Sequence, residues 1–297
     1  MLARLKAWHD HPVSTPPIFR LLAGGTAPDD VAALRAAVAE RLAQRGLLPP
    51  HGDRPAAVTG TTDHREDGGG GTARPLALLV PVGPDENPDQ VRADLAGRIA
   101  QVPPRADLVL RTSGSTTGTG SLIAMRATAL AASARATHDR LSGPGTWVLA
   151  LPAHHVAGLQ ILVRSLVAGT EPVVVDTTSG FTTAALTAGL TRALAASSGP
   201  VYLSLVPTQL LRALADPACV HLLARTSAVL LGGAAAVPSL LDRARSAGIP
   251  VITTYGMSET GGGCVYDGVP LGGVSLRIES PDASGAGRIV VSGPMLA

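Results

Sequence analysis

The stretch AVLLGGAAAVPSLLDRARSAGIPVITTYGMSET, residues 228–260, carries the pattern on which the fold rests. AVLL (228–231) and PVITT (250–254) are short apolar runs of strand length. Between them, PSLLDRARSAG (238–248) reads as a helix with Pro at its first turn and Gly just past its end. A strand, a helix and a second strand predict parallel pairing, with the helix packed on the sheet. Ligands of such sheets gather at the carboxyl ends of the strands, so GGAAAVP and YGMSET are where chemistry is expected.

The same alternation extends toward the N-terminus. LALLVPV (76–82), DLVLR (107–111), WVLAL (147–151), PVVVD (172–176) and VYLSLV (201–206) are candidate strands. VRADLAGRIAQ (91–101) and RATALAASARATHDRL (126–141) are candidate helices among them. Residues 28–46 predict a further helix, capped by Asp29 or Asp30, striped by Val31, Leu34, Val38 and Leu42, and ended by Gly46. Residues 51–74, with HREDGGGGTAR and no apolar periodicity, read as a mobile surface loop. After residue 266 the chain turns Gly-rich, with two short β runs, SLRI and RIVV. The expected class is α/β: mostly parallel sheets flanked by helices. An N-terminal region is expected at 1–106, a core at 107–266 and the start of a small β subdomain at 267–297.

Composition narrows the functions. Of 297 residues, 45% are hydrophobic and 15% charged, which excludes a disordered chain. Aromatics at 2% leave few rings for stacking bases, and a net charge of +2 gives no footprint for nucleic acid. Lys6 is the only lysine beside 23 arginines. Two cysteines, Cys219 and Cys264, are too few for a disulfide framework and fit a reduced cytosol. No signal peptide or apolar run of membrane-spanning length is visible, so a soluble cytoplasmic protein without a membrane partner is expected.

Five strand ends carry chemistry, among them PTQLL after VYLSLV. DLVLR is followed by TSGSTTGTGS (112–121), a Gly- and hydroxyl-rich loop suited to phosphate and expected to lead into a helix. WVLAL is followed by PAHHVAGL, whose His154 and His155, being adjacent, are expected to point apart. Arg164 interrupts the apolar ILVRSLVAG and needs a partner such as a carboxylate or a route to solvent. GGAAA can bring backbone against a flat ligand. Ser258, Glu259 and Thr260 set a carboxylate between two hydroxyls, a trio able to hold Mg²⁺ with phosphate. Taken singly, the loop is also an ordinary turn, the histidine a packed or exposed one, and the arginine a surface residue at a helix edge.

TSGST, PAHHVAGL, GGAA and YGMSET, in this order, resemble the acyl-adenylate-forming superfamily over roughly 107–297. Within it, SLVPTQL and YGMSETGGGCVYDGVPL are similar to the o-succinylbenzoate–CoA ligases of menaquinone biosynthesis, in their short actinobacterial form. The resemblance implies adenylation of an aryl carboxylic acid by ATP with Mg²⁺, followed by transfer to coenzyme A as co-substrate; a homodimer is left open. It implies that Thr112, Ser113, Gly114, Ser115 and Thr116 hold the phosphates, with Ser258 beside the nucleotide. Glu259 would bind the metal and Thr260 the α-phosphate, while Gly233, Ala234, Tyr255 and Gly256 line the adenine and acyl pockets. His155 would stand beside the acyl group as a catalytic residue, Arg164 would hold the substrate's second carboxylate, and Ser204 and Thr208 would lie on the substrate side.

Two departures qualify the resemblance. The phosphate loop carries an extra Thr and lacks the family's Pro-Lys, with Arg126 a candidate substitute. The family's ribose-binding block and its C-terminal lid domain do not follow GPMLA, so the sequence reads as a truncated, slowly turning ligase domain. The alternatives are an adenylating enzyme for another aryl acid and a non-catalytic nucleotide-binding relic.

Overall fold

The computed structural model describes residues 18–48, 76–112 and 120–297. The first sheet holds four strands in the order β1 (Phe19–Ala23), β2 (Leu78–Val82), β3 (Leu108–Arg111) and β4 (Leu122–Met125). The first three are parallel and β4 runs antiparallel to β3. α1 (Pro28–Gln44) follows β1 and α2 (Pro88–Arg98) follows β2. This sheet extends from residue 19 to residue 125, across the 106/107 position.

The helix starts differ from the expected ones for local reasons. α1 begins at Pro28 with Ala27 before it, and Asp29 and Asp30 lie inside its first turn, where they face the helix dipole instead of capping it. α2 begins three residues earlier than Val91, because the Asn87 side chain accepts from the Asp89 and Gln90 N–H groups.

The second sheet is built from α3 (Ala127–Arg140), β5 (Thr146–Leu149), α4 (Val156–Ala168), β6 (Val173–Val174), α5 (Thr183–Ala196), β7 (Val201–Leu205), α6 (Pro207–Ala213) and α7 (Pro217–Leu223). It continues through β8 (Ala228–Leu231), α8 (Pro238–Ser246), β9 (Val251–Met257), β10 (Gly262–Tyr266) and β11 (Val269–Pro270). Its seven strands run β11-β10-β9-β8-β7-β5-β6, parallel from β9 to β6 and antiparallel at β10 and β11. A separate hairpin, β12 (Ser275–Glu279) with β13 (Arg288–Ser292), contains both expected β runs.

Layering follows from strand alternation. In β5 and the residues after it, Val148 and Ala150 pack with α5–α8 on one face, while Trp147 and Leu149 face α3 and α4. Leu22, Leu79, Leu108 and Leu110 of the first sheet join that second cluster from the other side, with α1. α1, α3 and α4 are therefore sandwiched between two sheets, and α2 covers the outer face of the first. Burial on all sides explains why every residue of α4 from Gly158 to Leu166 is buried, Gln160 and Arg164 included.

One expectation fails here. The loop 112–121 does not lead directly into a helix; it joins β3 to the antiparallel β4, and α3 starts only at Ala127. LIAM (122–125) is too short to declare itself alone, and its strand character comes from pairing with β3.

Candidate active site

The carboxyl ends of β5, β7, β8 and β9 converge above α4 on a cavity of about 120 Å³, comparable to the space one aromatic ring needs. Alternation places it: in β7, Leu203 and Leu205 point to the outer helices, so Ser204 points toward α4 and lines the cavity. Gly232, Gly233 and Gly256 form walls without side chains. At Gly256 the β9–β10 hairpin is so tight that a Cβ would fall 2.0 Å from Gly262 O, so only glycine fits.

Arg164 forms the polar end. It is 3% exposed, its guanidinium carbon lies 4.8 Å from the Trp147 ring centroid, and its Nη2 donates to the Tyr266 hydroxyl at 3.3 Å. The direction of that bond is fixed by a relay. Thr137 Oγ1 donates to Ser133 O at 2.9 Å, so the Tyr266 hydroxyl donates to Thr137 Oγ1 at 3.1 Å and keeps a lone pair for Arg164. Arg164 Nε has no acceptor, and among the described residues no carboxylate pairs with the guanidinium. Burial lowers its pKa from the ordinary value, partly opposed by Tyr266. An arginine keeps its charge at neutral pH, so the cavity ends in an unpaired cation. A planar ligand bearing an anionic group fits that chemistry.

The other expected residues spread over the surface around the cavity. Gly233, Ala234, Tyr255 and Gly256 are exposed and make an open ledge at the ends of β8 and β9. Ser258, Glu259 and Thr260 form a single tight turn after β9. Glu259 is half-buried and is the turn's one carboxylate. The Thr260 hydroxyl is committed to backbone: it accepts from Met257 N–H at 2.9 Å and lies 2.6 Å from Gly262 O, with 1% exposure. Thr112 closes the base of its loop, its hydroxyl accepting from Ser121 N–H at 2.9 Å. Ser113, Gly114, Ser115 and Thr116 lie outside the described residues, as do the expected mobile loop 51–74 apart from its surroundings at 48 and 76, and Lys6. Thr208 is exposed on α6, away from the cavity lining.

The two histidines do not point apart. They sit in the turn before α4, where strand alternation does not apply, and their ring centroids are 4.1 Å apart. His155 occupies the N-cap position and is exposed; it does not line the cavity. His154 turns inward against Gly24 and Gly83, just beyond the carboxyl ends of β1 and β2, where a Cβ on Gly24 would meet the His154 Cβ at 2.5 Å. Burial, then His155, pushes the His154 pKa down to about 4, with Glu86 and Asp85 opposing. Burial also lowers that of His155.

Sequence reasoning missed Gln160, Met257, Gly262 and Tyr266, all cavity-lining. Gln160 and Arg164 are one helical turn apart, a spacing that gives both to one face once the face is known.

The AMP-binding enzyme family matches residues 73–297, and that match covers most of the chain. The chain belongs to the AMP-binding enzyme family. It is 51% identical over 190 residues to a probable 2-succinylbenzoate–CoA ligase of Mycobacterium tuberculosis (strain ATCC 25618 / H37Rv), covering 64% of this chain and 47% of that protein. The chain thus spans about half the length of that relative. The O-succinylbenzoate coenzyme A synthetase of Bacillus subtilis in complex with AMP superposes with a TM-score of 0.53 at 25% identity, covering 64% of this chain and 41% of that one. A malonyl-CoA ligase ternary product complex with methylmalonyl-CoA and AMP superposes at 0.65 over 93% of this chain and 63% of the other; at 23% identity it shows the fold alone. Parallel sheets flanked by helices are the architecture that this AMP-binding chain shares with these neighbours. Among the described residues, no helix is long and apolar enough to cross a membrane.

Proposed function

We propose that this chain carries the acyl and nucleotide sites of an ATP-dependent, AMP-forming ligase that activates o-succinylbenzoate and passes it to coenzyme A. The observation that carries the reading is Arg164, a buried cation at the end of a ring-sized cavity, without a carboxylate partner among the described residues. The aromatic ring would occupy the cavity between the glycine walls and α4, and the aliphatic chain's carboxylate would meet the guanidinium. The ring carboxylate would then face the ledge of Gly233, Ala234, Tyr255 and Gly256, where the adenylate is held. The name of the Mycobacterium tuberculosis relative supports the same substrate.

In the first step a carboxylate oxygen attacks the α-phosphorus of ATP and pyrophosphate leaves; in the second, the coenzyme A thiolate attacks the acyl carbon and AMP leaves. Neither step needs a covalent enzyme intermediate, so the chain's task is positioning and charge neutralisation. Thr112 and the Ser113–Thr116 segment are assigned to the phosphates, with Ser258 at the nucleotide. A lone carboxylate suits Mg²⁺, which takes one or two carboxylates and fills its other positions with phosphate and water, so Glu259 fits as its protein ligand. When bound, the ion neutralises phosphate charge. Thr260 acts through the turn it caps, fixing the backbone that presents Glu259. Ser204, on the cavity wall, borders the acyl group, and His155 and Thr208, which lie outside the lining, are assigned to the substrate side beyond the cavity. The cavity is lined from Leu151 to Tyr266, within the expected core at 107–266, and the first sheet runs across the 106/107 boundary beside it.

Calorimetric titration of the 297-residue chain with a non-hydrolysable o-succinylbenzoyl-adenylate mimic, beside a benzoyl mimic, tests the reading. Preference for the succinylated mimic by roughly 30-fold or more is expected. Equal binding would discard the substrate in favour of another aryl acid; binding of neither would discard the activity.

A further inference from the structure

Gln160 stands one turn before Arg164 on α4, and both side chains line the cavity. Its amide orientation is dictated by its neighbour. Nε2 donates to Gly261 O at 2.6 Å, and the reversed amide would set two acceptors against each other. The carboxamide oxygen is thus the atom left over, buried and without a donor, just as Arg164 Nε is buried without an acceptor. A buried acceptor and a buried donor, both unmet on one helical face, are costly unless a ligand engages them.

The residue type matters as much as the geometry. An acidic side chain four positions before an arginine is the favourable helical order for an ion pair. A glutamate has nearly the shape of Gln160 and would neutralise the guanidinium from within the chain. We propose that Gln160 is a specificity-determining residue: it fills the place of Arg164's natural counter-ion without supplying charge, so that the guanidinium stays available to an anionic group on the acyl ligand. Its bond to Gly261 ties α4 to the residue that ends the Ser258–Thr260 turn, so the same side chain links the acyl end of the site to the nucleotide end. This inference rests on the reading of Arg164 as the anchor of the ligand's second carboxylate.

The test uses the 297-residue chain with Gln160→Glu, Gln160→Leu, Arg164→Met and the double variant Gln160→Glu/Arg164→Met. Two measurements are made on each: the thermal midpoint without ligand, and the affinity ratio between the succinylated and benzoyl adenylate mimics. In Gln160→Glu the ratio is expected to collapse by roughly 30-fold or more. In Gln160→Leu the ratio survives, because the guanidinium is still unpaired, although both affinities fall with the loss of the tie to Gly261. In the thermal cycle, Gln160→Glu loses the bond to Gly261 and faces one acceptor with another, so it lowers the midpoint less when Arg164 is present than when it is Met, by on the order of 2–4 °C. A retained ratio in Gln160→Glu, or no thermal coupling to Arg164, overturns the proposal. Should the unsubstituted chain bind both mimics equally, the o-succinylbenzoate reading falls. The availability of Arg164 to this ligand class falls with it, and the thermal cycle then separately decides whether Gln160 withholds a counter-ion.

Discussion

Replacing Arg164 by Met should make the chain more stable and its site less useful. The side chain is 3% exposed, and its polar contacts are one hydrogen bond to Tyr266 at 3.3 Å and the Trp147 face at 4.8 Å. The ring contact is worth about 2 kcal/mol when desolvated, and the bond to Tyr266 about 1–2 kcal/mol. Against this stands the cost of burying a guanidinium with no carboxylate partner among the described residues, several kcal/mol even after relaxation. Met keeps the length of the stem and packs on Trp147 without charge. The net expectation is a gain of about 1–2 kcal/mol, a rise in thermal midpoint of roughly 2–4 °C for each kcal/mol. In binding the sign reverses. Removing the partner of a buried ligand carboxylate costs about 2–5 kcal/mol, or roughly 30-fold to several thousand-fold in affinity for the succinylated mimic. The benzoyl mimic should change far less. Calorimetry gives the affinities and scanning calorimetry the midpoint. A variant that melts lower and loses both mimics equally would show that Arg164 is a structural residue and refute the reasoning.

Asp107→Ala should cost about 3–5 kcal/mol in urea unfolding, because this buried carboxylate pairs with Arg41 and Arg45 and its other oxygen accepts from Ala127 N–H at the start of α3. Wild-type stability at Asp107→Ala would contradict that role. Gly256→Ala sets a Cβ 2.0 Å from Gly262 O, so the β9–β10 hairpin must open; a loss of roughly 1–3 kcal/mol, with weaker mimic binding, is expected in thermal melts and titrations. Burial, then Arg164, holds the His138 imidazole down at about 4, against an ordinary 6.5. The unfolded chain binds that proton first, so stability is full above pH 6.5 and falls as the pH drops toward 4, by up to about 3 kcal/mol from this residue. His154 adds to the same slope. His138→Phe should flatten the acid limb of the unfolding profile, and an unchanged slope would contradict it.

Much of the frame was legible because it is written in short-range pattern. AVLL became β8 without change, and PSLLDRARSAG became α8 with Gly248 in the left-handed conformation just beyond it. SLRI and RIVV paired as a hairpin. β1 and β4 escaped notice, since five and four residues give too little alternation and pairing partners lie elsewhere in the chain. α4 escaped for the opposite reason: a helix buried on every side has no polar face to set its period.

The site divides in the same way. Ser204, Arg164, Gly233 and Gly256 could be named from the segments after successive strands, because a parallel sheet sends those segments to one edge. Gln160 and Tyr266 could not, since neither stands out in its own neighbourhood of sequence. Local pattern specifies the alternation of strands and helices, the edge where ligands gather and the residue types that wait there. Whether Arg164 was a surface residue or a buried cation depended on α4 packing against the second sheet, where Trp147 of β5 and Tyr266 of β10 cover the guanidinium. That packing removes water from the guanidinium while supplying no carboxylate from the described residues, and charge burial of this kind is a property of three-dimensional surroundings that local pattern does not encode.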